Sequence, residues 1–281
     1  MIRSITFILI LFAIIAVHSC KKSTTTSVSV APLFIPLDMD SLMPGYAVFS
    51  YRCGVPYSGV SGVLIAYKIS GSLVDTSGQV NIYNRNWEIA LFANPTADSL
   101  TNAGVVSVNT APLSNTPYRT NENYYLHNDA SGVWNTSSLN RWNITGSGDI
   151  PSFSADISGS FPSFTGSLPT TISKTTDFSF TFNSSNTINA DSAYVSIYYR
   201  GEATRSSVVN GNGGTATIPG HFTGLMDSFI TVPYGGSSDG PFYFGKGYVL
   251  IVVYNHFIKS IAGKRFAFVK QRVYIGIVNF L

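Results

Sequence analysis

Hydrophobic and polar residues alternate with a period of two along most of the chain after residue 45. The alternation is regular at residues 79–83 (QVNIY) and 178–182 (FSFTF). In the second segment all three phenylalanines fall on the same face. Successive side chains of a β-strand point to opposite faces, whereas an amphipathic helix repeats every 3.6 residues. β-Branched and aromatic residues fill these segments, and Gly, Asn and Pro separate them. The pattern therefore predicts an all-β protein.

The predicted strands are short and recur at regular intervals, which is typical of β-sandwiches. A stretch of turn-forming residues at 146–151 (GSGDIP) separates them into two groups. We therefore predict two β-sandwich domains. The N-terminal one covers residues 46–148, and the C-terminal one, of immunoglobulin-like size and type, covers residues 149–281.

Two segments of the predicted C-terminal domain indicate a change of chain direction. Residues 210–214 (NGNGG) predict a tight turn, because Asn and Gly accept positive φ angles. Residues 266–278 form an unusually long strand-like stretch. Polar residues interrupt it at Lys270 and Gln271, so we expect a bulge or a hairpin there.

The first 22 residues have a different pattern. Arg3 precedes an unbroken run of eleven apolar residues, Phe7 to Val17, and Ser19-Cys20-Lys21-Lys22 closes the segment. A run of this length fits the hydrophobic region of a signal peptide and is too short to span a bilayer. A cysteine after a small residue at the cleavage position resembles the lipobox of bacterial lipoproteins. Together with the Ser/Thr tract that follows, it resembles outer-membrane lipoproteins of the Bacteroidota.

This resemblance implies a processing route and a location. Residues 1–19 would be a cleaved signal peptide, Cys20 would become the first residue and carry acyl chains, and residues 20–45 would be a flexible tether. The protein would be anchored to the outer membrane by lipid, on either its periplasmic or its outer side. An ordinary secretory signal is the alternative, and neither reading indicates an activity.

Charge disfavours one class of partner. The chain has 17 basic and 14 acidic residues, and removal of residues 1–19 takes away only Arg3. This near balance disfavours nucleic-acid binding. Charged residues make up 11% of the chain, against about 25% in typical proteins. The predicted partners are the membrane, through the lipid on Cys20, and a glycan or an envelope protein.

The sequence matches known catalytic, cofactor-binding and metal-binding motifs poorly. Residues 240–247 (GPFYFGKG) nearly match a phosphate-binding loop, but Gly247 stands where Ser or Thr would bind magnesium, and a predicted strand follows where a helix must begin. The histidines that survive cleavage, His127, His221 and His256, are far apart and lack metal-ligand spacing. We predict no cofactor, no metal and no catalysis.

If Cys20 carries lipid, Cys53 is left alone, either as a buried small residue or as a nucleophile or intermolecular bridge.

An aromatic-rich stretch at residues 121–142 is the predicted ligand-binding region. Ring faces pack on sugar C–H groups, while amide and carboxylate side chains bind hydroxyl groups. We select Trp134 as the platform, because Gly and Asn residues around it indicate a loop, and Tyr124 and Asp129 as its companions. Trp142, in an alternating strand, is predicted to face the core.

These observations predict a non-catalytic envelope lipoprotein that binds or presents a glycan or a partner protein. Two alternatives stay open. One is a glycan-active hydrolase that uses two of the carboxylates, which are Glu88, Glu122, Asp129, Asp149, Asp156 and Glu202. The other is a structural component that assembles through Cys53 or through free sheet edges. Three short segments also resemble O-glycosylation sites of Bacteroidota: Asp40-Ser41-Leu42, Asp98-Ser99-Leu100 and Asp191-Ser192-Ala193.

Overall fold

The computed structural model describes residues 60–74, 79–92, 101–119, 122–129, 139–199, 202–220 and 246–281. Every element in these ranges is a β-strand, which confirms the all-β prediction. In chain order the strands are β1 (Gly62–Val74), β2 (Val80–Phe92), β3 (Val106–Val108), β4 (Ala111–Pro112), β5 (Ser114–Arg119), β6 (Glu122–Asp129), β7 (Asn140–Ile144), β8 (Phe153–Ile157), β9 (Ser163–Phe164), β10 (Thr171–Ile172), β11 (Phe178–Thr181), β12 (Thr187–Ile188), β13 (Ser192–Tyr199), β14 (Glu202–Arg205), β15 (Val209–Asn210), β16 (Thr215–Ile218), β17 (Lys246–Ile261) and β18 (Lys264–Phe280).

One large sheet organises the molecule. Eight of its strands follow the order β14-β13-β17-β18-β1-β2-β6-β5, while β10 pairs with β18 and β15 pairs with β13. Strand β1 runs parallel to β18, and the other pairs along the main path are antiparallel. The long strands β17 and β18 occupy the middle of the sheet and pair along their whole length.

Two smaller layers cover separate parts of one face of this sheet. The first is the four-stranded sheet β4-β3-β7-β8, and the second consists of the pairs β9–β12 and β11–β16. The first layer packs Trp142, Ile144 and Phe153 against Phe266 and Phe268 of the large sheet, and we call this the first core. The second layer encloses the second core, which consists of Phe164, Ile172, Phe182, Ala190, Ala193, Val195, Ile197, Ala216, Ile218, Val249, Ile251, Val253 and Val278. The architecture is therefore that of a β-sandwich.

The large sheet and the first layer both cross the predicted domain boundary at residues 148–149. Strands β7 and β8 pair with each other, and a tight turn closed by a bridge between Ser147 and Ile150 connects them. Gly146 has a φ of 82°, which favours glycine at this position. The two predicted segments therefore share sheets. The division into two domains and the immunoglobulin-like connectivity stay predictions.

The opposite face of the large sheet is also buried. Tyr67, Tyr194 and Tyr254 lie on it and are fully buried. All seven residues from Tyr248 to Tyr254 are buried, which explains why this stretch of β17 is apolar without alternation. β17 begins at Lys246, so a strand does follow the near-match to a phosphate-binding loop. In the part of the chain covered here, no helix has the length and apolar character needed to cross a bilayer.

The hairpin predicted within the last stretch lies elsewhere. Strand β18 continues through Lys270 and Gln271 without a bulge, so that prediction was wrong. The chain instead reverses at Ala262 and Gly263, whose φ angles of 49° and 76° suit a two-residue hairpin turn. Lys270 and Gln271 are each 1% exposed, because they lie in a central strand buried on both faces.

The turn predicted at residues 210–214 is present, but for a different physical reason. None of its residues has a positive φ. A Cβ atom on Gly211 would lie 2.5 Å from the carbonyl oxygen of Ala190, and one on Gly214 would lie 2.6 Å from the Cβ of Val209. Close backbone approach, and not left-handed conformation, requires glycine here.

Replacing Gly211 with alanine is expected to lower the free energy of unfolding by about 1–3 kcal/mol, because the new methyl group overlaps the Ala190 carbonyl. Gly213→Ala is the matched control, since a Cβ at Gly213 has nothing within 4 Å, and its effect should stay within about 0.5 kcal/mol. Urea unfolding measures both. Equal effects of the two substitutions would contradict the packing explanation.

Candidate ligand-binding site

A row of polar side chains crosses the large sheet between the first and second cores. Asn86 of β2, Lys68 of β1 and Arg272 of β18 are register partners on adjacent strands, so their side chains emerge side by side on the face that carries the cores. Lys270 lies two residues before Arg272 on the same face. We call Lys68, Asn86, Lys270 and Arg272, with the ring of Phe161 above them, the cationic seam.

The seam lies where the same strands leave one core and enter the other. On β18, Phe266 and Phe268 belong to the first core and Val278 belongs to the second. Lys270 and Arg272 fill the interval between them on the same face. Neither of the two smaller layers covers this interval with a strand. A short connection, residues 158–162, joins β8 of the first layer to β9 of the second.

This connection passes over the seam and contacts its lysines. The Nζ of Lys270 donates a hydrogen bond of 2.6 Å to the carbonyl oxygen of Gly159. The Nζ atoms of Lys68 and Lys270 lie 4.8 and 5.5 Å from the centre of the Phe161 ring. Both distances fit cation–π attraction. Phe161 also packs against the first core, which fixes the position of its ring.

Arg272 is held by a second ring. Its guanidinium carbon lies 5.2 Å from the centre of the Tyr274 ring. The hydroxyl oxygen of Tyr274 accepts a 2.9 Å hydrogen bond from the backbone N–H of Phe164, and the two rings pack edge to face. The second layer therefore fixes Tyr274, and Tyr274 in turn positions Arg272.

The surroundings of the seam disfavour the charged forms of its two lysines. Burial, and to a smaller extent the positive charge of Lys68, together lower the pKa of Lys270 to about 8. Burial also lowers the pKa of Lys68, and the charge of Arg272 adds to this. Lys68, Lys270 and Arg272 thus lie close together in a partly desolvated place.

Two hydrogen-bond donors of the seam have no acceptor within the described part of the chain. The side-chain nitrogen of Asn86 and the Nε of Arg272 are buried without a hydrogen-bond partner, and Asn86 is only 5% exposed. Buried donors are normally satisfied, and leaving one unmade costs about 1–3 kcal/mol. Asn86 and Arg272 therefore each present an unsatisfied donor among the positive charges of the seam.

The predicted site residues are placed only in part. Cys20, Trp134 and the other predicted sites Cys53, Asp40-Ser41 and Asp98-Ser99 lie outside the described residues. Tyr124 and Asp129 lie on β6, where Tyr124 pairs with Leu91 and Asp129 pairs with Asn86. Strand β6 therefore brings the position of Asp129, but not that of Tyr124, next to the seam.

Two other aromatic residues of the predicted region belong to the first core. Trp142 is 1% exposed, which confirms that it faces inward. Tyr125 is also buried, and its hydroxyl group accepts a hydrogen bond from the N–H of Ala103 and donates one to Asn102. These rings therefore stabilise the fold, and neither presents a face to a ligand.

Sequence reasoning missed Lys68, Lys270 and Arg272. The available signal was the group Lys270-Gln271-Arg272, three polar residues inside an otherwise apolar strand, which we interpreted as a bulge. A charge at an inward position of a central strand is a candidate site residue, because burying it costs free energy unless something compensates.

The carboxylates do not form an evident catalytic pair among the described side chains. Asp156 accepts hydrogen bonds of 2.7 and 2.9 Å from Arg141, which hold the pKa of that carboxyl below its usual value. Glu88 is 1% exposed, whereas Asp149 is exposed on the β7–β8 turn. In the ranges covered by the structure, no group of three or more His, Cys, Asp or Glu side chains is arranged to hold a metal ion.

No protein-family model matches this chain, and neither a curated protein nor a solved structure is significantly similar to it. We infer its function from the cationic seam and from the pattern of residues 1–22.

Proposed function

We propose that this chain is a non-catalytic lipoprotein of the outer membrane that binds a glycan or a partner protein at the cell envelope, with the cationic seam as its binding site. The location rests on the lipobox-like residues Ser19 and Cys20. The binding role rests on the seam.

The observation that carries the binding role is the pair of buried, unsatisfied donors on Asn86 and Arg272. They lie in one row with Lys68, on three adjacent strands. Buried polar groups without partners lower stability, and proteins keep them chiefly where function requires them. Because the groups are mounted on central strands and not on loops, their geometry is rigid enough to select a ligand.

A glycan is the ligand that this surface suits best. Saccharides present hydroxyl oxygens as acceptors and C–H groups that pack on rings. The seam supplies donors from Asn86 and Arg272, and the rings of Phe161 and Tyr274 are partly exposed beside them. The predicted platform residue, Trp134, lies outside the described residues, and its role stays a prediction.

Binding of the purified protein to a panel of polysaccharides tests the proposal. We expect retention on at least one glycan, and Asn86→Leu should weaken it. The same substitution should raise the free energy of unfolding by about 1 kcal/mol, because it removes a buried donor without an acceptor. Asn84→Leu, at an exposed position of the same strand, is the control. If no glycan or envelope protein is retained, the proposed function is wrong.

The hydrolase alternative has one supporting observation. Asp129 pairs with Asn86 and His127 pairs with Glu88, so Glu88 and Asp129 are diagonal neighbours on adjacent strands. Such positions have Cβ atoms about 7–8 Å apart, within the range that glycosidase carboxylates use. Glu88, at 1% exposed, is buried like the nitrogen atoms of Asn86 and Arg272 that we propose to bind the ligand, so burial does not separate this alternative from simple binding. Release of reducing ends by the purified protein, lost in Glu88→Gln, would favour this alternative over simple binding.

The assembly alternative is less well supported. A long unpaired edge strand would favour assembly through sheet edges. In the described part of the large sheet, the strands at the ends of the main path are β5 and β14, with six and four residues, and β5 contains Pro117. Short edges and proline oppose edge-to-edge pairing.

A further inference from the structure

We propose that the cationic seam binds the acidic group of a saccharide, a carboxylate or a sulfate, with Lys68, Asn86 and Arg272 as the contacting residues. This inference rests on the proposed function and adds the chemical class of the ligand. A neutral sugar would satisfy the donors of Asn86 and Arg272 but would gain no attraction from the positive charges of Lys68 and Arg272.

The charge balance of the seam is the first argument. Three cations occupy two neighbouring strands, and the mutual effect of their charges shows that they are close together. Glu88 is the described carboxylate of the adjacent row, and Asp129 occupies the position next to Asn86. Neither Lys68 nor Arg272 forms an ion pair with a described carboxylate. An anion placed between these two side chains would be attracted by both positive charges.

The donor geometry is the second argument. Lys68 and Arg272 are direct register partners on parallel strands, and adjacent strands lie about 4.8 Å apart. One planar or tetrahedral oxyanion, with oxygens separated by about 2.2–2.5 Å, can therefore accept from both side chains at once. The buried nitrogen of Asn86 lies on the next strand of the same row and provides a third donor. Hydrogen bonds to charged groups are stronger than neutral ones.

A saccharide fits better than an acidic peptide. A peptide that adds to a sheet pairs with an edge strand, whereas the seam crosses the central strands β1 and β18. The connection at Gly159 and Phe161 contacts the lysines of the seam. The Tyr274 ring, partly exposed beside Arg272, provides an apolar surface for the face of a sugar ring.

Lys270 lies behind the contacting residues. It is 1% exposed, and Gly159 accepts one of its protons, so it acts through its charge and not through contact. Its pKa of about 8 implies that this charge is lost as the pH rises above 8. A bound anion favours the charged form, so binding above pH 8 requires proton uptake, and affinity should fall as the pH increases. The other charged or titratable residues of the two register rows that contain Lys270 and Arg272 are Lys68 and Glu88, together with the strand positions of His127 and Asp129.

The test is calorimetric titration of the detergent-solubilised protein at constant ionic strength near 0.15 M. The probes are a uronic-acid oligosaccharide, a sulfated oligosaccharide, a neutral oligosaccharide of the same length, and a poly-glutamate peptide. Comparison of the two acidic saccharides distinguishes carboxylate from sulfate. Arg272→Gln and Lys68→Gln are the seam variants. Arg265→Gln is the matched control, because Arg265 is exposed on the same strand as Arg272 but lies outside the seam.

We expect at least one acidic saccharide to bind more tightly than the neutral one, with affinity falling above pH 8. Each seam variant should lose about tenfold or more in affinity, and the control should change by less than about twofold. Equal affinity for neutral and acidic saccharides would overturn the anion inference and leave the proposed function standing. Poly-glutamate binding alone, lost in the seam variants, would overturn the choice of a saccharide. If none of the probes binds and the polysaccharide panel is also negative, the proposed function fails as well.

Discussion

Cys20→Ala is expected to move this protein from the membrane fraction to the soluble fraction. The reason is that the lipobox-like sequence predicts several acyl chains on this one cysteine. One acyl chain gives only marginal membrane binding, whereas two or more give stable anchoring, since each buried methylene contributes about 0.8 kcal/mol. Fractionation after labelling with a radioactive fatty acid measures both location and acylation. Label should be present in the unmodified protein and absent from the variant.

Cys53→Ala is the control for this experiment, because Cys53 is the other cysteine of the chain. It should keep the label and stay with the membrane. Labelling that persists in Cys20→Ala, or that disappears in Cys53→Ala, would show that the lipid is attached elsewhere or that residues 1–22 form an ordinary secretory signal.

Lys270→Met is expected to stabilise the protein at pH 7 while it weakens binding of an anionic ligand. Lys270 is charged at this pH although burial disfavours its charge. Replacing a desolvated charge by a well-packed apolar side chain of similar length is often stabilising, by about 1–4 kcal/mol. The substitution removes the hydrogen bond to Gly159, so we expect a gain at the lower end, about 1–2 kcal/mol.

The pH dependence identifies the cause of this gain. The pKa of Lys270 is about 8 in the folded protein and 10.5 for an unperturbed lysine, so between these values the unfolded chain binds more protons. The free energy of unfolding of the unmodified protein should therefore rise with pH between these two pKa values. Below the lower value Lys270 is charged in both states, so it should cause no further change with pH. We expect a rise of about 1–2 kcal/mol from this residue, after allowance for screening by solvent.

Chemical denaturation between pH 7 and pH 10.5 measures the free energy of unfolding of the unmodified protein and of Lys270→Met. The difference between them isolates Lys270, because the other lysines and the tyrosines titrate in both proteins. The advantage of Lys270→Met should shrink as the pH rises. Lys259→Met is the control, because Lys259 lies on the neighbouring strand and bonds to the carbonyl oxygen of Asp156, outside the seam. A loss of stability in Lys270→Met, or an advantage independent of pH, would show that Lys270 contributes mainly by packing.

If Lys270→Met both stabilises the protein and weakens anion binding, the native seam residues lower stability while they support binding. A protein selected only for stability would carry apolar residues at Lys68, Lys270 and Arg272, as it does in both cores. Functional sites commonly retain groups that the fold alone disfavours. The same reasoning applies to Asn86, whose buried nitrogen has no acceptor.

The sequence alone determined the strand class of this protein and the faces of individual strands. Alternation at residues 178–182 correctly placed the phenylalanines of β11 on the second core, and alternation around Trp142 correctly placed that ring inside. Both results follow because the two-residue period of a strand is a local property of the chain. The processing signal predicted for residues 1–22 would likewise be a local property of the chain.

Only the tertiary structure decided which strands are neighbours. Strands β1 and β18 come from opposite ends of the described chain, and their parallel register is what places Lys68 beside Arg272. Periodicity gives each strand its faces but not its partner, because a shift of register or an exchange of neighbours leaves the local pattern unchanged. The cationic seam, the shared sheet across residues 148–149 and the close contact at Gly211 all depend on such long-range pairing. The sequence contained the residues of all three features, and only the packing of distant strands brought those residues together.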